Sequence, residues 1–212
     1  MFRSIFRPYG LVWTVLNTIT DVVGLTLCWL LCCLPIVTVF PATAALYDAV
    51  VHGIRYREEG PYKRFFKTFW AEWKSGILST LLWGAVLGFF GYLLAVLLTM
   101  ARQDSGFSLY AGVYLAGMLL PIGAACWSAA IISRFTFSFL ALTGTAVRFV
   151  IAHFFRSLGI AACTVALAVF TWNYPIWIFA APACLMLLWS VFAEPVFAKY
   201  GAAITPVTPD ED

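Results

Sequence analysis

Long apolar runs separated by short polar connections make up nearly the whole chain, and a clear amphipathic pattern is concentrated in one segment. A helix needs about 20 apolar residues to cross roughly 30 Å of hydrocarbon. The first such run extends from about Leu11 to Leu34 and contains a single charge, Asp21. An aspartate at mid-helix opposes insertion by about 2.5–3.5 kcal/mol, whereas each Leu, Val or Ile favours it by about 0.3–0.6 kcal/mol. The window holds twelve of these residues, so insertion prevails. Pro35 and Pro41 then end the helix, because proline lacks the N–H donor and clashes with the preceding turn. A new helix is expected to restart near Pro41, with the proline at its first position.

A second uncharged run covers Gly76 to Ala101, and a third, Phe107 to Ser133, is expected to kink at Pro121. No charge occurs between Arg156 and Glu194. As one helix that stretch would be about 55 Å long, too long for a bilayer. Asn173-Tyr174-Pro175 supplies a turn, flanked by Trp172 and Trp177 as interface residues, and divides the stretch into spans at about 157–172 and 176–193. The expected fold is all-α: a polytopic transmembrane helix bundle of about five spans. One membrane domain covers residues 1–200, and 201–212 form a flexible polar tail.

Between spans one and two, the segment 62–74 carries Phe65, Phe66, Phe69, Trp70 and Trp73 close to one face at helical spacing. Lys63, Arg64, Lys67 and Lys74 occupy much of the remainder, the pattern of an amphipathic cytoplasmic helix lying among lipid headgroups. A helix packing its aromatics on the bundle would look the same. These basic residues are candidate contacts for anionic lipid.

Composition agrees with a membrane protein. Of the 212 residues, 63% are hydrophobic and 11% charged, with a mean hydropathy of +0.91. Soluble domains carry about 25% charged residues. Arg3, Arg7 and the Ala42-Thr43-Ala44 triplet also resemble a signal peptide, but the apolar run exceeds the usual core of about 7–15 residues. The segment from Pro41 to Ser75 contains six Lys or Arg residues, namely Arg55, Arg57, Lys63, Arg64, Lys67 and Lys74. Arg134, Arg148 and Arg156 fall in the third connection, Lys199 follows the last span, and Arg102 alone lies after the second. The positive-inside rule then places the C-terminus in the cytoplasm of a bacterial cell (inner) membrane and the short N-terminus outside.

Thr14, Asn17, Thr18 and Asp21 recur at i, i+3, i+4 and i+7, a polar stripe that Gly24, Cys28 and Cys32 continue with small residues. An intramembrane carboxylate is a functional candidate by default; it serves a proton, cation or polar-solute contact, or else a polar contact between helices. Gly84 and Gly88 form a GxxxG pair that permits close helix approach within the chain or in a homo-oligomer. The six cysteines lie in apolar stretches without metal-ligand spacing and read as packing residues. His52 and His153 fall in connections and read as ordinary surface residues. No metalloprotease, nucleophile-elbow, phosphate-loop or dinucleotide motif is present. No basic run suits nucleic acid. No catalytic, cofactor or metal residues are assigned.

One stretch is more distinctive than its hydropathy. Leu34-Pro35-Ile36-Val37-Thr38 and Pro41-Ala42-Thr43-Ala44-Ala45-Leu46-Tyr47 precede Arg57-Glu58-Glu59-Gly60, and then Phe65-Phe66-Lys67-Thr68-Phe69. This order resembles the YesL-like family of bacterial membrane proteins, a domain family of unknown function, with Leu34, Pro35, Thr38, Pro41, Ala42, Tyr47, Gly60, Phe66 and Phe69 as its motif positions here. The resemblance implies a small polytopic protein found alongside carbohydrate transporters and their regulators, with no catalytic residues. The expected function is a non-enzymatic membrane protein accessory to carbohydrate uptake or its regulation. The alternative is a small channel or carrier using the stripe around Asp21.

Overall fold

The computed structural model describes residues 11–103, 106–135 and 137–201, without the side chains of 11–15 and 103. The side chain of Thr14 and the tail beyond residue 201 therefore lie outside the described residues. Helix α1 (Leu11–Cys32) stops before Pro35. Beyond it the Thr38 hydroxyl turns back to the carbonyl oxygens of Cys32 and Pro35, satisfying acceptors that a helix end leaves free.

A 3₁₀ turn (Ile36–Thr38) leads into α2 (Val39–Val50), which continues through a π-helical turn (Val51–Arg55). Pro41 does not prevent this helix. It sits in the first turn, where a missing N–H leaves no hydrogen bond unmade. The sequence pattern makes residues 41–75 a cytoplasmic connection, with a helix restarting near Pro41 ahead of the amphipathic one, but the structure makes the restarted helix, α2, the centre of the bundle. It touches α1, α3, α4, α6 and α9. Ala42, Ala44, Ala45 and Ala49 are fully buried, and side chains this small let several helices close on one axis.

The remaining helices are α3 (Pro61–Ala71), α4 (Trp73–Gln103), α5 (Phe107–Gly117), α6 (Leu119–Ile132), α7 (Phe139–Ala152), α8 (Phe154–Asn173) and α9 (Ala181–Lys199). The break between α5 and α6 falls at Met118, three residues before Pro121. A 3₁₀ turn over Pro175–Phe179 joins α8 to α9, and α8 ends at Asn173. Helix α7 was not apparent from the sequence.

Among the described residues, five helical segments are long and apolar enough to cross a membrane: Ile36–Arg55, Trp73–Arg102, Phe107–Ile132, Phe154–Asn173 and Ala181–Lys199. The chain is an all-α, multi-pass membrane protein. The first segment differs from the span expected at 11–34, and the described side chains of α1 form a shorter apolar helix, Leu16–Cys32. The reason is legible in the residues. Asp48, His52 and Arg55 dilute the Ile36–Arg55 segment to a mean hydropathy of 1.3, against 2.3 for α4.

Helices α1 and α2 run antiparallel. The Trp29 indole donates to the Thr43 hydroxyl at 3.2 Å, while the Tyr62 hydroxyl, at the start of α3 beyond the other end of α2, donates to the Thr20 carbonyl at 3.5 Å. Helix α3 folds back along α2, so that Arg64 and Thr68 both reach Asp48. At the start of α4, Gly76 packs on Pro41 so closely that a Cβ there would lie 2.6 Å from the proline Cβ. Helices α6 and α9 run with α2, since Arg134 beyond α6 and Glu194 on α9 both reach its last turns. The beginning of α1 and the ends of α2, α6 and α9 thus share one end of the bundle.

Candidate functional site

That shared end holds a cluster of charged side chains. Asp48 and His52 lie one turn apart on α2 and its continuation, both buried. Gly60, with φ of +74°, occupies the left-handed conformation that turns the chain into α3. From α3, Arg64 places Nε 3.0 Å from Asp48 Oδ2 and Nη1 3.0 Å from Glu58 Oε2. The Thr68 hydroxyl donates to Asp48 Oδ2 at 2.7 Å. Arg134 donates from Nη2 to Glu194 Oε1 at 2.8 Å, with both side chains about 95% buried at 5% exposure each. Glu194 also accepts from the Tyr47 hydroxyl at 2.9 Å and the Tyr56 hydroxyl at 3.5 Å.

His52 joins the two halves. Its Nε2 lies 2.8 Å from Arg64 Nη2 and 2.6 Å from Arg134 Nη1. A guanidinium only donates, so Nε2 must be the accepting nitrogen. The proton is therefore on Nδ1, which donates to Glu58 Oε1 at 2.7 Å. This arrangement also explains why Asp48 Oδ1, only 3.4 Å from Nε2, has no hydrogen bond there. Two acceptors face each other at that point. The imidazole is neutral because a second proton would point at two cations.

Charge is balanced across the cluster. Asp48, Glu58 and Glu194 meet Arg64, Arg134 and Arg55, the last donating to the Ser190 hydroxyl at 2.6 Å and lying 5.8 Å from the Tyr56 ring centroid. Arg134 lies 5.9 Å from the Tyr47 ring centroid, a cation–π distance. Each carboxylate and guanidinium group of the cluster has at least one polar partner, while Asp48 Oδ1 and Arg134 Nε are buried without a hydrogen bond. Among the described residues, no three His, Cys, Asp or Glu side chains converge as a metal site.

From the sequence, Arg64, Tyr47 and His52 were singled out, Arg55 and Arg134 entered only the charge count and Glu58 only the family motif, and Asp48 was not noted. Arg64 was grouped with the lysines as lipid-facing, but it turns inward because Asp48 and Glu58 offer two carboxylates within reach. Lys63, Lys67 and Lys74 remain exposed. His52 is buried at 6% exposure instead of lying on the surface. The available signal was Asp48, the lone charge in the apolar stretch from Val39 to Val51. The helix expected to restart near Pro41 is α2, and Asp48 lies inside it.

The polar stripe lies apart from the cluster. Asn17 is exposed, and Thr18 and Asp21 are half-buried. The Asp21 carboxylate lies near the Tyr62 hydroxyl; burial, then that neighbouring negative charge, raise the Tyr62 pKa. Asp21 thus sits level with the start of α3, at the charged end of the bundle, and not midway along it. Of the motif residues, Thr38, Pro41, Ala42, Tyr47 and Phe69 are buried, and Leu34, Pro35, Gly60 and Phe66 are exposed. The buried ones build α2 and its contact with α3. The GxxxG glycines meet no neighbour within 4 Å.

No curated protein and no solved structure matches the chain. Residues 22–98, from α1 through most of α4, match the sequence model of the family described as protein of unknown function, DUF624, so the α1–α2 hairpin, the central helix and α3 together form a region similar to that family.

Proposed function

We propose that the chain is a non-enzymatic protein of a bacterial inner membrane that works by contact with a partner, as an accessory to carbohydrate uptake or its regulation. The observation that carries the non-enzymatic part is the closed ionic cluster. Its charges are spent on joining α2, α3, α6 and α9, and the Glu194 and Arg134 side chains are out of reach of a solute. The carbohydrate part rests on the resemblance of residues 34–74 to YesL-like proteins. Affinity purification in mild detergent at native expression tests the reading. A carbohydrate-transporter subunit is expected to co-purify, and recovery of none would overturn the accessory role.

The orientation we infer has both ends of the described chain at the cytoplasmic face. Arg55, Arg57, Arg64, Arg134 and Lys199 gather at the end where α1 begins and α9 finishes, and positive charge is retained inside. The carrier alternative has less support, because Asp21 lies beside Tyr62, at the start of α3 and near that end. Unchanged insertion together with lost solute flux in Asp21→Asn would restore it.

A further inference from the structure

A cleft of about 940 Å³ lies at some distance from the ionic cluster, among α1, α2, α6, α8 and α9. No charged side chain lines it. Its threonine and tryptophan polar atoms are largely engaged with one another. The Thr43 hydroxyl accepts from the Trp29 indole and donates to the Val39 carbonyl. The Thr164 hydroxyl accepts from the Trp189 indole and donates to the Ile160 carbonyl. Water entering would find little to bind, and apolar cavities of this kind stay dry or take an apolar guest. The volume is at the upper end of the range of about 300–1,000 Å³ typical of ligand sites.

We propose that this cleft holds one acyl chain of a membrane phospholipid. The argument for that occupant is continuity with the surface that faces lipid. Val39, Ala168, Trp172 and Ile178 line the cleft and are also exposed on the outside of the protein. Three of them lie within or at the start of segments apolar enough to cross the membrane, Ile36–Arg55 and Phe154–Asn173. The cleft therefore opens where hydrocarbon is already the solvent. A charged headgroup would have no counter-charge inside, so only the chain enters and the headgroup stays outside. Covering the apolar lining with a chain held in one place adds contacts that mobile bulk lipid makes only transiently.

The test uses the purified full chain in lipid nanodiscs with phosphatidylglycerol carrying a diazirine midway along one acyl chain. After illumination, peptides containing Thr164–Trp172 and Ala181–Trp189 are expected to carry more label than the exposed α4 surface around Leu98. Ala168→Trp narrows the mouth and Ala125→Phe fills the interior. Each is expected to lower labelling of those peptides by about tenfold, the effect of losing contact with a few methylenes. Ala166→Trp, exposed on the same helix but outside the lining, should leave labelling unchanged. Equal labelling of the cleft and the Leu98 surface would overturn the proposal. So would undiminished labelling in Ala168→Trp, a variant at an exposed position that decides the matter even if Ala125→Phe does not fold.

Discussion

Glu194 is held between Tyr47, Tyr56 and Arg134, and no solvent reaches its carboxylate to replace any of them. Removing one partner of such a pair strands a buried charge, which destabilises by about 3–5 kcal/mol. Arg134→Met is therefore expected to lower stability by about that amount, measured by denaturation in detergent micelles. Adding Glu194→Leu should recover much of the loss, leaving mainly the unpaired Tyr47 hydroxyl, at about 1–3 kcal/mol. Additive losses in the double variant would contradict the pairing. A second residue-scale expectation concerns His153, which packs between the Phe149 and Tyr200 rings with Nε2 unbonded. Burial, then Arg156 and Lys199, hold its pKa below the ordinary value of 6.5. The unfolded chain thus binds this proton more readily than the folded one. The contribution of neutral His153 is complete above pH 6.5 and declines as pH falls below it. His153→Phe should show a shallower stability loss than the parent between about pH 7 and 5, and an identical slope would refute the assignment.

Individual helices were readable wherever one residue class ran unbroken. Gly76 to Ala101 has no charge to interrupt it, and Asn173-Tyr174-Pro175 breaks the chain where backbone chemistry demands a turn. Helix α2 was not readable in that way. A helix restarting near Pro41 was expected, but its burial at the centre of the bundle was not. Its charges looked like solvent-exposed residues because their partners lie 6 to 82 residues further along the chain, Glu58 and Arg134 both meeting His52. The same helix makes a prediction about packing. Since a Cβ at Gly76 would meet the Pro41 ring at 2.6 Å, and neither backbone can yield easily, Gly76→Ala should destabilise by about 1–3 kcal/mol through overpacking. Gly84→Ala, with open space beside it, should be close to neutral in the same thermal-shift assay. Equal effects at the two glycines would argue against the α2–α4 contact.

At the scale of the molecule, the antiparallel return of α2 against α1 is the basis of the orientation we propose. Reporter fusions or cysteine-accessibility labels at the N- and C-termini should both read cytoplasmic. Opposite readings would favour the five-span arrangement inferred from hydropathy and the charge count. The sequence by itself determined that the protein lives in a bilayer, that it is helical, and where most of its apolar helices lie, because those properties sum over single residues. It also carried the stretch from Leu34 to Phe69 that proved to be the central helix and its neighbour. Which charges meet was decided only by tertiary structure. Asp48, His52, Arg64, Arg134 and Glu194 come from four helices and the turns beside them, and each is tolerable in the interior only because the others are there. Burial of a charge is a property of its partners, and partners are assembled by packing and not by order along the chain.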